Sequence, residues 1–169
     1  NMVGWARLKV KGPAGTTVKL RFAEILNPDG TIYTLNLRKA EVTDYYTLSG
    51  RGTETFEPHF TYHGYRYVEV TGFPGKPTED SITGVVFHTD AKVTSKLATS
   101  DPLVNKLLSN IDWGLRGNLE SVPTDCPQRD ERLGWMGDAQ IIWATACYFR
   151  DLSSFTSKWT YDVVDAQSP

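Results

Sequence analysis

Ser100-Asp101-Pro102-Leu103-Val104-Asn105-Lys106-Leu107-Leu108-Ser109-Asn110-Ile111-Asp112-Trp113-Gly114-Leu115 is where the periodicity of this chain changes. Leu103, Leu107, Ile111 and Leu115 recur every fourth residue, and Val104 and Leu108 widen the stripe, which is the pattern of an amphipathic helix. Ser100-Asp101 followed by Pro102 supplies a cap and a proline at the first helical position. Upstream the period is two. Leu8 and Val10 alternate with Lys9 and Lys11, and Val18, Leu20 and Phe22 alternate with Lys19 and Arg21, as in half-buried strands. Gly12-Pro-Ala-Gly15 and Asn27-Pro-Asp-Gly30 are turns, because proline presets φ and glycine accepts positive φ. Further strands are expected at 42–48, 55–62, 65–71 and 82–89. Short strands with turn chemistry between them predict a β-sandwich.

Downstream of the switch, Ile141-Ile-Trp-Ala-Thr-Ala-Cys-Tyr-Phe149 is apolar on almost every face, which predicts a helix covered on several sides. Leu152, Phe155, Trp159 and Val163 make a narrower stripe on a third helix. A boundary therefore falls at about residue 92, with a β-sandwich over 1–91 and α-helices over 92–169.

The bulk properties exclude several classes. Hydrophobic residues are 40% and charged residues 22% of the chain, and the formal net charge is −2, which gives no field suited to nucleic acid or an anionic membrane. No apolar run reaches the ~20 residues a spanning helix needs. Cys126 and Cys147 are too few for a disulfide framework, lack metal-ligand spacing and are expected to be free thiols. His59, His63 and His88 form no metal or triad constellation and are expected to be structural. No phosphate loop or nucleophile elbow is present. The chain opens on Asn1 inside what reads as a strand, with no signal peptide, so it is expected to be an internal slice of a longer protein of unassigned compartment.

The chemistry concentrates in Asp125-Cys-Pro-Gln-Arg-Asp-Glu-Arg-Leu-Gly-Trp-Met-Gly-Asp138. It holds Asp125, Asp130, Glu131, Asp138, Arg129, Arg132 and the indole of Trp135, while Gly134 and Gly137 read as breaks around the ring and Asp138 as the cap of the next helix. Paired acids, a flat aromatic and arginine partners suit glycoside cleavage, in which the leaving oxygen must be protonated and positive charge on the sugar stabilised.

The wider window from Glu120 to Gln140 resembles the signature of bacterial α-L-rhamnosidases of glycoside hydrolase family 78. Asn1-Met-Val-Gly-Trp5 and Phe60-Thr-Tyr-His-Gly-Tyr-Arg-Tyr-Val-Glu-Val-Thr-Gly72 resemble the concanavalin-like β-domain before that family's catalytic domain, and Asp165-Ala-Gln-Ser-Pro169 the end of an early catalytic-domain helix. The resemblance implies that the helices open an (α/α)₆ toroid that is incomplete here, and that the partners are a rhamnose-containing carbohydrate and the remainder of the catalytic domain, with no cofactor and no metal. It assigns Glu131 as general acid, a carboxyl that must hold its proton until the leaving oxygen takes it. Asp125 and Asp138 match positions that grip sugar hydroxyls, Arg129 a cation near the sugar, and Trp135 an apolar face for the ring. Surface ion pairing for Glu131 and Arg129, an Asx-turn for Asp125, helix capping for Asp138 and core packing for Trp135 are the structural alternatives.

The family inverts at the anomeric carbon, so its base is a distant glutamate that no residue of this chain matches. The polypeptide alone is therefore expected to have little or no hydrolytic activity. Two other readings remain open: a sugar-binding or purely structural sandwich, with Trp5, Tyr33, Tyr62, Tyr65 or Tyr67 as stacking rings, and a different toroid glycosidase or a lyase acting on acidic sugars.

Overall fold

A computed structural model describes residues 1–167; Ser168 and Pro169, the end of the Asp165–Pro169 stretch, lie outside the described residues. By its contacts the chain divides into two units. The first comprises Asn1–Phe87 with Pro127–Asp130, and the second comprises His88–Cys126 and the residues from Glu131 onward.

The first unit is built from two antiparallel sheets. In one, β1 (Met2–Lys11) pairs with β4 (Thr53–Phe56) and β5 (His63–Tyr65) along one edge and with β7 (Ile82–Val86) along the other. In the other, β2 (Thr17–Ala23) lies between β3 (Thr43–Thr47) and β6 (Tyr67–Thr71). The period-two pattern puts Ala6, Leu8 and Val10 of β1 and Val18, Leu20 and Phe22 of β2 into one buried cluster with Leu37, Leu48 and Tyr65, while Lys9 and Lys11 stay exposed. Burying such side chains contributes roughly 1.5–3 kcal/mol each. The stretch expected as one strand over 65–71 serves both sheets. Tyr65 ends β5, Arg66 donates its N–H to Ala23 O at 2.9 Å, and Tyr67 opens β6 in the opposite sheet. The strand expected over 55–62 stops at Phe56.

His63 is buried in this core, its Nε2 3.0 Å from Asp44 Oδ1 and its ring stacked on Phe22 at 4.1 Å. The Tyr65 hydroxyl donates to Trp5 O at 2.8 Å, and burial pushes its pKa up to about 12.

The second unit holds three helices, α1 (Pro102–Asn118), α2 (Met136–Phe149) and α3 (Ser153–Asp165), and a short hairpin of β8 (Leu119–Glu120) and β9 (Val122–Pro123). Asp101 caps α1, accepting from Leu103 N at 2.7 Å, with Pro102 at the first position. Leu115, Leu119, Ala146, Leu152 and Phe155 form its core, with Ile111 and Trp143 packed against them. Asp112 braces it. Its carboxylate accepts from Arg116 Nε at 3.1 Å and from Arg150 Nε at 3.0 Å, and Arg150, itself buried, also donates to Ala91 O at 3.2 Å.

The expected cover of α2 is absent among the described residues: Ile141 is 80% and Tyr148 75% exposed, and only Ala139 and Ala146 are buried. The stripe on α1 is likewise buried only toward its C-terminal end, since Leu103 and Leu107 are exposed. No helix is long and apolar enough to cross a membrane among the described residues.

Candidate functional site

The loop that carries the acidic motif hangs from the β8–β9 hairpin. Thr89 N donates to Leu119 O at 3.0 Å, and Lys158 Nζ donates to Ser121 O at 3.1 Å and Ser121 Oγ at 3.0 Å. Thr124 N then donates to Asn118 O at 2.7 Å, and Asp125 N reaches across the loop to Leu133 O at 3.0 Å. That cross-loop bond brings Asp125 back toward Trp135, whose own N–H donates to Leu133 O at 3.1 Å.

The glycines do not make the turns. Gly137 lies inside α2, and neither it nor Gly134 has a positive φ; Ser121 (φ 71°) and Cys126 (φ 49°) do. Left-handed conformations at such residues cost free energy and persist where surrounding bonds hold them.

Asp138 also departs from its expected place. α2 starts at Met136 with Trp135 in the extended cap conformation and no side-chain capping bond, so Asp138 is the third helical residue and does not cap. Its charge still meets the positive end of the helix dipole.

Asp125, Trp135 and Asp138 line one pocket of about 440 Å³, whose apolar wall includes Ile111, Leu115 and Ile142. Trp135 is half-exposed and Asp138 exposed, so an indole face and a carboxylate border the same space. Glu131 does not line that pocket, but it adjoins Asp125: one carboxylate oxygen of each and Cys126 Sγ all lie within 4.8 Å of one another. No disulfide joins Cys126 to Cys147. Arg129 groups with the first unit rather than with these residues. There its charge acts on Glu24, whose carboxyl is pushed up by burial against the pull of the amino terminus and of Arg129.

Sequence reasoning missed Glu120. It is buried, neither carboxylate oxygen has a hydrogen-bond partner, and burial pushes its pKa up to about 8. Its position at the head of the motif was visible, but nothing in a two-residue strand announces burial.

Comparison with known proteins supplies the family. Residues 1–88 match the bacterial alpha-L-rhamnosidase concanavalin-like domain, and residues 92–169 match the bacterial alpha-L-rhamnosidase 6 hairpin glycosidase domain. The chain belongs to the bacterial alpha-L-rhamnosidase family. An alpha-L-rhamnosidase of Streptomyces avermitilis is 61% identical over 168 residues, covering 99% of this chain and 16% of that protein. The crystal structure of Streptomyces avermitilis alpha-L-rhamnosidase complexed with L-rhamnose matches with a TM-score of 0.97 and 61% identity, over 99% of this chain and 16% of that one. The alpha-L-rhamnosidase from Dictyoglumus thermophilum matches with a TM-score of 0.97 and 46% identity, over 99% of this chain and 19% of that one. This member of the rhamnosidase family thus spans 16% to 18% of the length of the curated relatives it matches. The two rhamnosidase domain descriptions agree with a sandwich followed by helices.

Proposed function

We propose that this chain is part of an inverting α-L-rhamnosidase that removes terminal α-L-rhamnose from glycosides or polysaccharides, with Glu131 as general acid. The observation that carries the reading is the convergence of Glu131 with Asp125 beside the pocket that Asp125 shares with Trp135 and Asp138. The Streptomyces avermitilis relative complexed with L-rhamnose supports a rhamnoside as substrate.

In this reading the sugar lies with its C–H face or methyl group on Trp135. Asp125 and Asp138 accept hydrogen bonds from its hydroxyls, and Asp138 can do so because its carboxylate is not engaged in capping. Glu131 gives its proton to the glycosidic oxygen as the bond from that oxygen to the anomeric carbon breaks, so the aglycone leaves as a neutral alcohol. Water attacks the opposite face and yields its proton to a carboxylate base. Inverting pairs stand ~6.5–9.5 Å apart to admit that water. Asp125 sits within 4.8 Å of Glu131, nearer than an inverting base stands; in this reading the base is a glutamate in the remainder of the catalytic domain, and the chain alone turns over little or nothing. The division into a concanavalin-like domain over 1–91 and toroid helices over 92–169 is part of the same proposal.

The test is hydrolysis of p-nitrophenyl α-L-rhamnoside by the full-length protein, wild type beside Glu131→Gln, with the first-formed anomer followed by proton NMR. The reading expects a kcat loss of at least ~10²-fold with rhamnose binding retained, and β-L-rhamnose as first product. First release of α-L-rhamnose would make Asp125 a nucleophile in a retaining pair. Inactivity of wild type on this and other neutral glycosides, with cleavage of a uronate polymer, would favour a lyase.

A further inference from the structure

Pro127–Asp130 groups with the first unit, although its neighbours Cys126 and Glu131 group with the second. Within that unit the four residues come down on β5. A Cβ added to Gly64 would stand 2.8 Å from Gln128 Cβ and 3.0 Å from both Gln128 Cα and Gln128 N. Gly64 is not among the residues with positive φ, so space rather than backbone conformation requires glycine there. Two of the three crowded atoms are backbone and cannot swing aside as a flexible side chain would.

β5 is poorly able to retreat. Val3 faces Gly64 in the ladder, with Met2 opposite Tyr65 and Gly4 opposite His63. His63 is pinned by Asp44 and Phe22, and Tyr65 by its bond to Trp5 O. An obstruction at position 64 therefore moves the loop and leaves the strand in place. The next residue, Arg129, lies near enough for its charge to act on Glu24, just past the end of β2. Glu131 follows two residues later in the chain, about 7 Å of backbone at most.

We propose that Gly64 and Glu24 form a seat on the sandwich for Gln128 and Arg129, and that this seat positions Glu131 for proton transfer to the leaving oxygen. The inference rests on the assignment of Glu131 as the acid. Gly64, Glu24 and Arg129 are positioning residues; none of them touches the reacting atoms.

Misplaced acid and general misfolding leave different marks. A poor leaving group needs the proton, whereas 2,4-dinitrophenolate departs without it. The full-length protein, wild type and Gly64→Ala, is assayed on p-methoxyphenyl and 2,4-dinitrophenyl α-L-rhamnosides. The seat predicts a roughly 10²-fold fall in kcat on the first, little change on the second and unchanged KM on both. Equal losses on the two substrates, or no loss on either, overturn it. Should Gly64→Ala fail to fold by circular dichroism, Arg129→Met carries the test without altering β5. The same leaving-group split with unchanged KM supports the seat. A raised KM on both substrates means that Arg129 holds the sugar and refutes it. Wild type inactive on both sinks the rhamnosidase reading itself, and the seat with it, whereas an active wild type with uniform losses sinks only the seat.

Discussion

Glu120 carries the largest electrostatic cost among the residues of the motif region. Its carboxylate is buried without a hydrogen-bond partner, and its pKa rises from 4.5 to about 8 because the charged form is desolvated. The folded protein therefore keeps a proton that the unfolded chain releases. Below pH ~4.5 both states are protonated and the fold bears no charge penalty; stability falls as pH rises through that interval and levels off above about 8. Glu120→Gln imitates the protonated form. Its unfolding free energy should equal that of wild type at pH 4 and exceed it at pH 8.5 by an amount on the order of 3 kcal/mol. A constant offset at all pH values would remove the titration from the explanation. At Asp138, Asn should raise KM for an aryl rhamnoside at least tenfold while costing the helix only ~0.5 kcal/mol, since the residue meets the dipole but forms no cap. Titration of the variant with L-rhamnose by calorimetry checks this, and unchanged affinity would return Asp138 to a purely structural role. That Asp125, Trp135 and Asp138 border one pocket, with Glu131 beside Asp125, follows from their closeness in the chain, while the roles proposed for them come from the family resemblance. The burial of Glu120 and the left-handed turns at Ser121 and Cys126 were not legible in the sequence, because both depend on residues distant in the chain.

Among the elements, α1 and the end of α2 are joined by an ion pair that a substitution can isolate. Arg150 is buried, and Asp112 answers its charge. Asp112→Ala strands that charge and should destabilise the protein by about 3 kcal/mol in chemical denaturation; a loss under ~0.5 kcal/mol would place the pair with ordinary surface bridges. In the sheets, Glu54 accepts from Ser49 N at 2.9 Å, Gly50 N at 2.9 Å and the Tyr46 hydroxyl at 2.8 Å. The Ser49 N–H and the Tyr46 hydroxyl lead in holding its pKa at about 2. A depressed carboxyl stabilises above its unfolded range, so this contribution is present above pH ~4.5 and fades as pH drops toward 2. Glu54→Gln should accordingly flatten the acid side of the stability profile, and an unaltered acid limb would contradict that. Alternation located β1 and β2 because each has one buried face. It could not divide 65–71 between two sheets: the stretch reads as one strand, and the change of sheet at Arg66 is made by pairing with β1 and then β2. Cap chemistry found the start of α1, while α2 begins at Met136 without the side-chain cap that the sequence rule looks for.

At the scale of the whole molecule, the rings of the first unit argue for support rather than sugar capture. Trp5 donates to Glu57 Oε2 at 2.6 Å and packs on Phe87, Tyr62 also meets Phe87, and Tyr65 is buried. Titrating the first unit with L-rhamnose should give no heat; saturable binding would restore the binding-module reading. The second unit leaves Ile141, Tyr148 and Tyr161 largely exposed. The switch in periodicity separates sheet from helix in the sequence, but no local pattern reveals that Pro127–Asp130 groups with the first unit, where Gln128 lies close against Gly64. The consequence of that contact lies in synthesis. The slot over Gly64 emerges from the ribosome about sixty residues before the segment that fills it, a delay on the order of several seconds at ordinary translation speeds. During that interval the nascent sandwich carries an open notch beside β5, and its last strap is tied only after α1 has been made. A slow codon run placed within 65–127 would lengthen that exposure without changing one amino acid.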